Sequence, residues 1–209
     1  RLTGTAKLVN GSGTANATLI GQRGRQFRLQ FNADVAPEKV RIAMTGMLDR
    51  KPITLTVPAV LTQTEDGWRL SPATVSYMGG TAQFAGRMGG ETTQIEARLQ
   101  RLPLSLLDIA KDELGLGGTA TGTLSFLKPR DGAPTGKADL RIRGLSRSGL
   151  ALSSKPIDLG LNAALTAERL GARAVVVSEG KTIGRAQALI SPLGSGDLAT
   201  RLRTAPLFA

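Results

Sequence analysis

The stretch Gln26-Phe27-Arg28-Leu29-Gln30-Phe31-Asn32 alternates polar and apolar residues without a break. An extended chain points successive side chains to opposite faces, so Phe27, Leu29 and Phe31 share one side while Arg28 and Gln30 share the other. The same two-residue period runs through Val40-Arg41-Ile42-Ala43-Met44, Ile53-Thr54-Leu55-Thr56-Val57, Asp139-Leu140-Arg141-Ile142-Arg143 and Asp158-Leu159-Gly160-Leu161-Asn162-Ala163. Each reads as a strand with one apolar face. Turn-forming pairs separate these runs at short intervals, among them Asn10-Gly11, Asp66-Gly67, Gly79-Gly80, Gly89-Gly90 and Asp131-Gly132. Such pairs supply the positive φ that tight hairpins need, and the chain is expected to be all-β with short connections.

One stretch reads as a helix. After Pro103, Ser105-Leu106-Leu107-Asp108 has the form of a capping box, and Leu107, Ala110 and Leu114 share a face until Gly115-Leu116-Gly117-Gly118 stops it. This helix marks the junction of two copies of a longer unit. Lys51-Pro52-Ile53-Thr54-Leu55 recurs 104 residues later as Lys155-Pro156-Ile157-Asp158-Leu159, and Leu99-Gln100-Arg101-Leu102-Pro103-Leu104 recurs 103 residues later as Leu202-Arg203-Thr204-Ala205-Pro206-Leu207. The expected organisation is a first β repeat over 1–103, a junction helix over 104–117 and a second β repeat over 118–209. The first copy carries about ten extra residues before its Lys-Pro anchor, roughly one strand and a turn. Beginning at Arg1 without Met, and ending on Leu207-Phe208-Ala209, the chain reads as a piece of something longer.

Composition removes whole classes of chemistry. With no Cys and no His, thiol nucleophiles, His-dependent triads, disulfides and His or Cys metal sites are excluded, and no enzymatic activity is expected. A formal net charge of +11 raises nucleic acid or an anionic membrane surface as partner. An aromatic fraction of 3% leaves few stacking platforms for single-stranded nucleic acid, so no nucleic-acid partner is expected. Arg23, Arg25, Arg28, Arg141, Arg143 and Arg147 are candidates for phosphate contact, although cations on strand faces ordinarily solvate or protect edges. Asp108, Asp112 and Glu113 read as a solvated helix face, and Ser154-Lys155 as strand neighbours pointing apart. From the residues alone, a filled solenoid and a long curved sheet with a greasy face both remain open.

The segment Leu102-Pro103-Leu104-Ser105-Leu106-Leu107, followed by Gly115-Leu116-Gly117-Gly118-Thr119-Ala120-Thr121-Gly122-Thr123-Leu124, resembles a recurring segment of the TamB family within the AsmA-like group of bacterial envelope proteins. Lys137-Ala138-Asp139-Leu140-Arg141-Ile142, Lys155-Pro156-Ile157 and the closing Ala205-Pro206-Leu207 extend the likeness, which covers about two thirds of the chain from Lys51 onward. The strong basicity and the Met-containing run Ala43-Met44-Thr45-Gly46-Met47 depart from the simplest form of that pattern.

The resemblance implies an elongated β-sheet curved lengthwise into an open trough, a β-taco or open β-solenoid. It further implies a periplasmic segment of a chain anchored in the inner membrane and reaching toward a TamA-like outer-membrane barrel protein. Phospholipid transport between the membranes is the implied function, and scaffolding of outer-membrane β-barrel or autotransporter assembly the alternative. On this view Phe27, Leu29, Phe31, Val40, Ile42, Met44, Ile53, Leu55, Val57, Leu140, Ile142, Leu159, Leu161 and Leu165 form a floor against which phospholipid acyl chains lie, although ordinary β core is the usual role of each taken singly. No cofactor is expected. Some sixteen to twenty strands at roughly 4.8 Å would make a segment on the order of 80 Å long. A carbohydrate-active solenoid would need aromatic lines and paired carboxylates, neither of which the sequence shows.

Overall fold

The structure, a computed structural model, describes residues 1–23, 25–109, 114–147 and 155–191. Strands account for 80% of the chain, against roughly a quarter in an ordinary globular domain. They are β1 (Leu2–Val9), β2 (Ser12–Arg23), β3 (Arg25–Ala36), β4 (Lys39–Leu48), β5 (Lys51–Val57), β6 (Ala59–Thr64), β7 (Gly67–Tyr77), β8 (Gly80–Met88), β9 (Thr92–Pro103), β10 (Leu116–Pro129), β11 (Thr135–Arg147), β12 (Ile157–Leu165), β13 (Leu170–Ser178) and β14 (Lys181–Ile190). A six-residue 3-10 turn, Leu104–Ile109, joins β9 to β10.

All fourteen strands belong to one long, curved antiparallel sheet in which spatial order follows chain order. β5 and β6 occupy a single position. β4 pairs with β5 through Thr45–Leu48 and with β6 through Lys39–Ile42, and β7 takes both on its other side. Pro58 breaks this strand in two, because it has no backbone N–H to offer the ladder. The architecture is thus a thirteen-position meander, about 58 Å across at roughly 4.8 Å per strand spacing. That is narrower than the length expected from sequence. Every described pairing is antiparallel, which selects the trough over the solenoid.

Tight turns set the register. Asn10 and Gly11 both have positive φ, 51° and 77°, the geometry that suits a two-residue hairpin to the twist of its strands. Met78-Gly79 and Glu179-Gly180 repeat it, and Asp49-Arg50 adopts it without any glycine. Register shifts interrupt the ladders at Leu55/Val57, Leu70/Ala73, Gly117/Thr119, Ala120/Gly122, Ile142/Leu145 and Val176/Val177. Bulges of this sort bend a strand and increase its twist, and here they curve the sheet. The strands run between two lips. The turns after β1, β3, β6, β8, β10 and β12 form the first lip; those after β2, β4, β7, β9, β11 and β13 form the second.

The junction differs from the α-helix that the capping pattern suggests. Leu104–Ile109 winds as a 3-10 turn, Leu107 is 46% exposed, and Ala110 lies outside the described residues. Asp108 does not face solvent. It is 4% exposed, and its Oδ1 accepts a hydrogen bond of 3.1 Å from the Gly115 backbone N–H, closing the connection onto itself. Leu106 packs against a small core of Met44, Leu48, Ile53 and Tyr77, so the 3-10 turn folds over one side of the sheet near the second lip. Four strands precede the Lys51-Pro52 strand, whereas only β10 and β11 stand between the junction and the Lys155-Pro156 strand. The first repeat therefore has two additional strands, not one, because β10 and β11 are longer than β1 to β4.

Candidate functional site

Residues directly opposite each other in an antiparallel ladder point to the same face, so the register sorts the sheet into two sides. One row can be followed across all thirteen positions: Gly4, Ala17, Phe31, Met44, Leu55, Val75, Ala82, Leu99, Gly122, Leu140, Leu161, Ala174 and Ala186. The Met44 to Leu55 step continues the Thr45–Thr54 register. Every residue in the row is apolar. A second row on the same side, nearer the first lip, reads Ala73, Phe84, Ala97, Leu124, Ala138, Ala163, Ala172 and Ala188. The neighbouring rows, on the opposite side, are hydrophilic: Thr74, Gln83, Arg98, Thr123, Asp139, Asn162, Arg173 and Gln187 form the one between them. Thr3, Thr18, Gln30, Thr45, Thr54, Ser76, Thr81 and Gln100 form another.

Thirteen of the fourteen expected floor residues lie on the apolar side. Phe27, Leu29 and Phe31 on β3 face it together with Val40, Ile42 and Met44 on β4. Ile53 and Leu55 continue it on β5, and Leu140 and Ile142 on β11 meet Leu161 and Leu159 on β12, with Leu165 opposite Gly136. Val57 departs from the set. The bulge at Leu55/Val57 places it opposite Thr74, on the hydrophilic side, and it is 46% exposed. Sequence reasoning missed about half of the floor, including Leu19 on β2, Val75 and Tyr77 on β7, Leu124 and Phe126 on β10, and Val176 on β13. The alternation Gly122-Thr123-Leu124-Ser125-Phe126 carries the same signal as Gln26–Asn32, with glycine standing in an apolar position.

Little covers this face. Among the described residues eight hydrophobic side chains count as buried, and the cluster of Met44, Leu48, Ile53 and Tyr77 is the only place where several pack together with Leu106 above them. Elsewhere the face stays open: Ile95 is 49% exposed, Phe126 39% and Leu124 37%. The accessible surface of 14006 Å² exceeds by half the roughly 9,300 Å² of a compact monomer of this mass. Among the described residues the apolar side is neither sealed nor fully packed; a local core closes part of it near the second lip and the remainder is exposed floor.

Charge is kept off the floor. Among the described residues, cations on the apolar side stand at its ends, such as Lys51 and Arg147 beside the second lip and Lys128 beside the first. Lys128 turns away, its Nζ donating to the carbonyls of Pro129 (3.0 Å) and Gly132 (2.6 Å) in the hairpin. Arg28, Arg141 and Arg143 stand on the hydrophilic side. A depression of about 750 Å³ also lies there, between the Gln83-Arg98-Thr123-Asp139 row and the Ala85-Glu96-Ser125-Lys137 row. Among the described residues no group of acidic side chains has the spacing of a metal site, and no helix is long and apolar enough to cross a membrane. Asp112, Glu113 and Ser154 lie outside the described residues. The arrangement offers an extended apolar surface backed by a hydrated one. In comparisons with known proteins, no family model, no curated protein and no solved structure matches this chain.

Proposed function

We propose that this chain is a periplasmic segment of a bridge-like lipid carrier of the TamB kind, whose apolar face carries phospholipid acyl chains between the inner and outer membranes. The observation that supports this reading is the unbroken apolar row from Gly4 to Ala186, over most of which the described residues form no second layer. A soluble β-protein normally buries such a face against another element. Left open over about 58 Å of sheet, it presents a path along which each methylene leaving water gains up to about 0.8 kcal/mol. The path is continuous because consecutive strands repeat the same side-chain chemistry, so a chain sliding across them meets no charged residue. No covalent step, metal or cofactor is needed for this work, and the hydrophilic side needs no nucleic acid to explain it. In this reading other parts of the parent chain supply the inner-membrane anchor and the contact with a TamA-like outer-membrane barrel.

Native mass spectrometry of the protein after gentle extraction tests the reading directly. Co-purified phospholipid, displaced by added fatty acid, is expected. Protein that carries no lipid and takes up none from vesicles would refute it. A second reading, a scaffold for outer-membrane barrel or autotransporter assembly, has its own support: β1 pairs only with β2, and β14 only with β13 among the described residues, leaving two long free edges. Photo-crosslinks from β1 backbone positions to unfolded barrel protein distinguish that role.

A further inference from the structure

We infer that the two lips are not equivalent, and that the phosphate of a bound phospholipid seats along the second lip; the inference rests on the trough reading above. The topology sorts charge between them. In the turns and flanking strand ends of the second lip, the described residues include the cations Arg1, Arg50, Lys51, Arg147, Lys155 and Lys181 against the acids Asp49, Asp108 and Glu179. Arg23 and Arg25 stand at the same end of β2 and β3. The first lip carries the acids Glu38, Glu65, Asp66, Glu91, Asp131 and Glu168 against Lys39, Arg87, Lys128, Arg130 and Arg169.

Pairing within each lip sharpens the contrast. Lys155 and Glu179 form an exposed ion pair of 2.8 Å on the second lip, and Arg130 and Glu91 one of 3.7 Å on the first. With those pairs set aside, Arg1, Arg50, Lys51, Arg147 and Lys181 stand against Asp49 and Asp108 on the second lip, and Glu38, Glu65, Asp66, Asp131 and Glu168 against Lys39, Arg87, Lys128 and Arg169 on the first. A phospholipid whose tails lie on the floor must leave its headgroup at a lip, where water returns. Its phosphate diester is an anion, attracted by guanidinium and ammonium groups and repelled by carboxylates. Successive turns on one lip are two strand spacings apart, about 10 Å, close to the screening length at physiological salt, so each headgroup senses mainly its own turn. The second lip thereby offers separate phosphate stations at the turns after β4, β11 and β13, and the ligand class is a glycerophospholipid rather than an uncharged lipid.

The test compares two ligands with identical fluorescent tails, a phosphatidylglycerol and a diacylglycerol, bound to the whole chain. The intact protein should prefer the phospholipid. Lys51→Gln, Arg147→Gln and Lys181→Gln together, one at each of three turns, should weaken phospholipid binding about threefold, as the loss of one exposed charge contact per headgroup would, and leave diacylglycerol binding unchanged. Glu38→Gln, Glu65→Gln and Asp66→Asn together should leave phospholipid binding unchanged or tighten it. Equal effects from the two lips, or no preference for phospholipid in the intact protein, overturn the assignment while the trough reading stands on diacylglycerol binding. Failure of both ligands to bind overturns the trough reading and the assignment with it. Unaltered chemical denaturation of each triple variant shows that the fold is retained.

Discussion

Replacing Leu161 by Asp separates an open floor from a buried core. Leu161 sits midway along β12, opposite Leu140 on one side and Ala174 on the other, in the row that crosses the whole sheet. It is only half-buried. In a sealed core the new carboxylate would be unpaired and dry, at a cost of several kcal/mol or loss of the fold. On an open face it stays hydrated, and what is lost is the partial burial of one leucine, about 1 kcal/mol. For a bound lipid the consequence is larger. About four methylenes of an extended acyl chain overlie one strand spacing of about 4.8 Å. Shielded on one side only, they lose about half of 0.8 kcal/mol each, roughly 1.5 kcal/mol or about tenfold in affinity. Asn162→Asp is the control, the same charge one residue along on the hydrophilic side. Urea denaturation and a fluorescent-tail lipid titration of both variants provide the two readouts. Leu161→Asp binding lipid within twofold of the parent, or unfolding by several kcal/mol, would refute the reasoning.

Three further substitutions probe the frame around the floor. Leu48→Ala, at a side chain with no exposed surface, should cost about 3 to 5 kcal/mol in urea denaturation, several times the cost of Leu161→Ala. Gly80→Ala should destabilise the hairpin pairing of β8 with β9, because a Cβ there would overlap the Arg101 carbonyl oxygen; amide exchange across Thr81–Arg87 is expected to accelerate. Asp108→Ala removes the acceptor of the Gly115 N–H and should cost about 1 to 2 kcal/mol, read as faster exchange or proteolysis at the junction with little change elsewhere.

Much of the fold was legible because the two-residue period is a local property. Phe27, Leu29 and Phe31 cannot alternate with Arg28 and Gln30 in any other regular structure, and turn pairs such as Asn10-Gly11 fix where the strands reverse. The rest depended on non-local geometry. Bulges move a residue from one side to the other without changing its neighbours in sequence, as Val57 illustrates, and a break such as Pro58 divides one strand into two that still share a position. The junction carries a capping pattern that an α-helix would use, yet the segment winds as a 3-10 turn and Asp108 accepts from the Gly115 amide across the connection. Glycine and alanine hid much of the floor, since Gly4, Ala17, Gly122 and Ala174 mark an apolar side only once their partners across the ladder are known. The scarcity of aromatic residues gave no sign that Tyr77 lies, 1% exposed, at the centre of the local core.

Because each strand hydrogen-bonds chiefly to its predecessor and successor, assembly involves almost no distant partners. Sequence separations at contact stay short, a circumstance that favours rapid ordering of newly emerged chain without waiting for its far end. Growth by appending hairpins leaves earlier ones undisturbed, so evolution can adjust reach one pair of strands at a time. The span of the sheet then becomes a matter of counting, with no redesign of any central architecture.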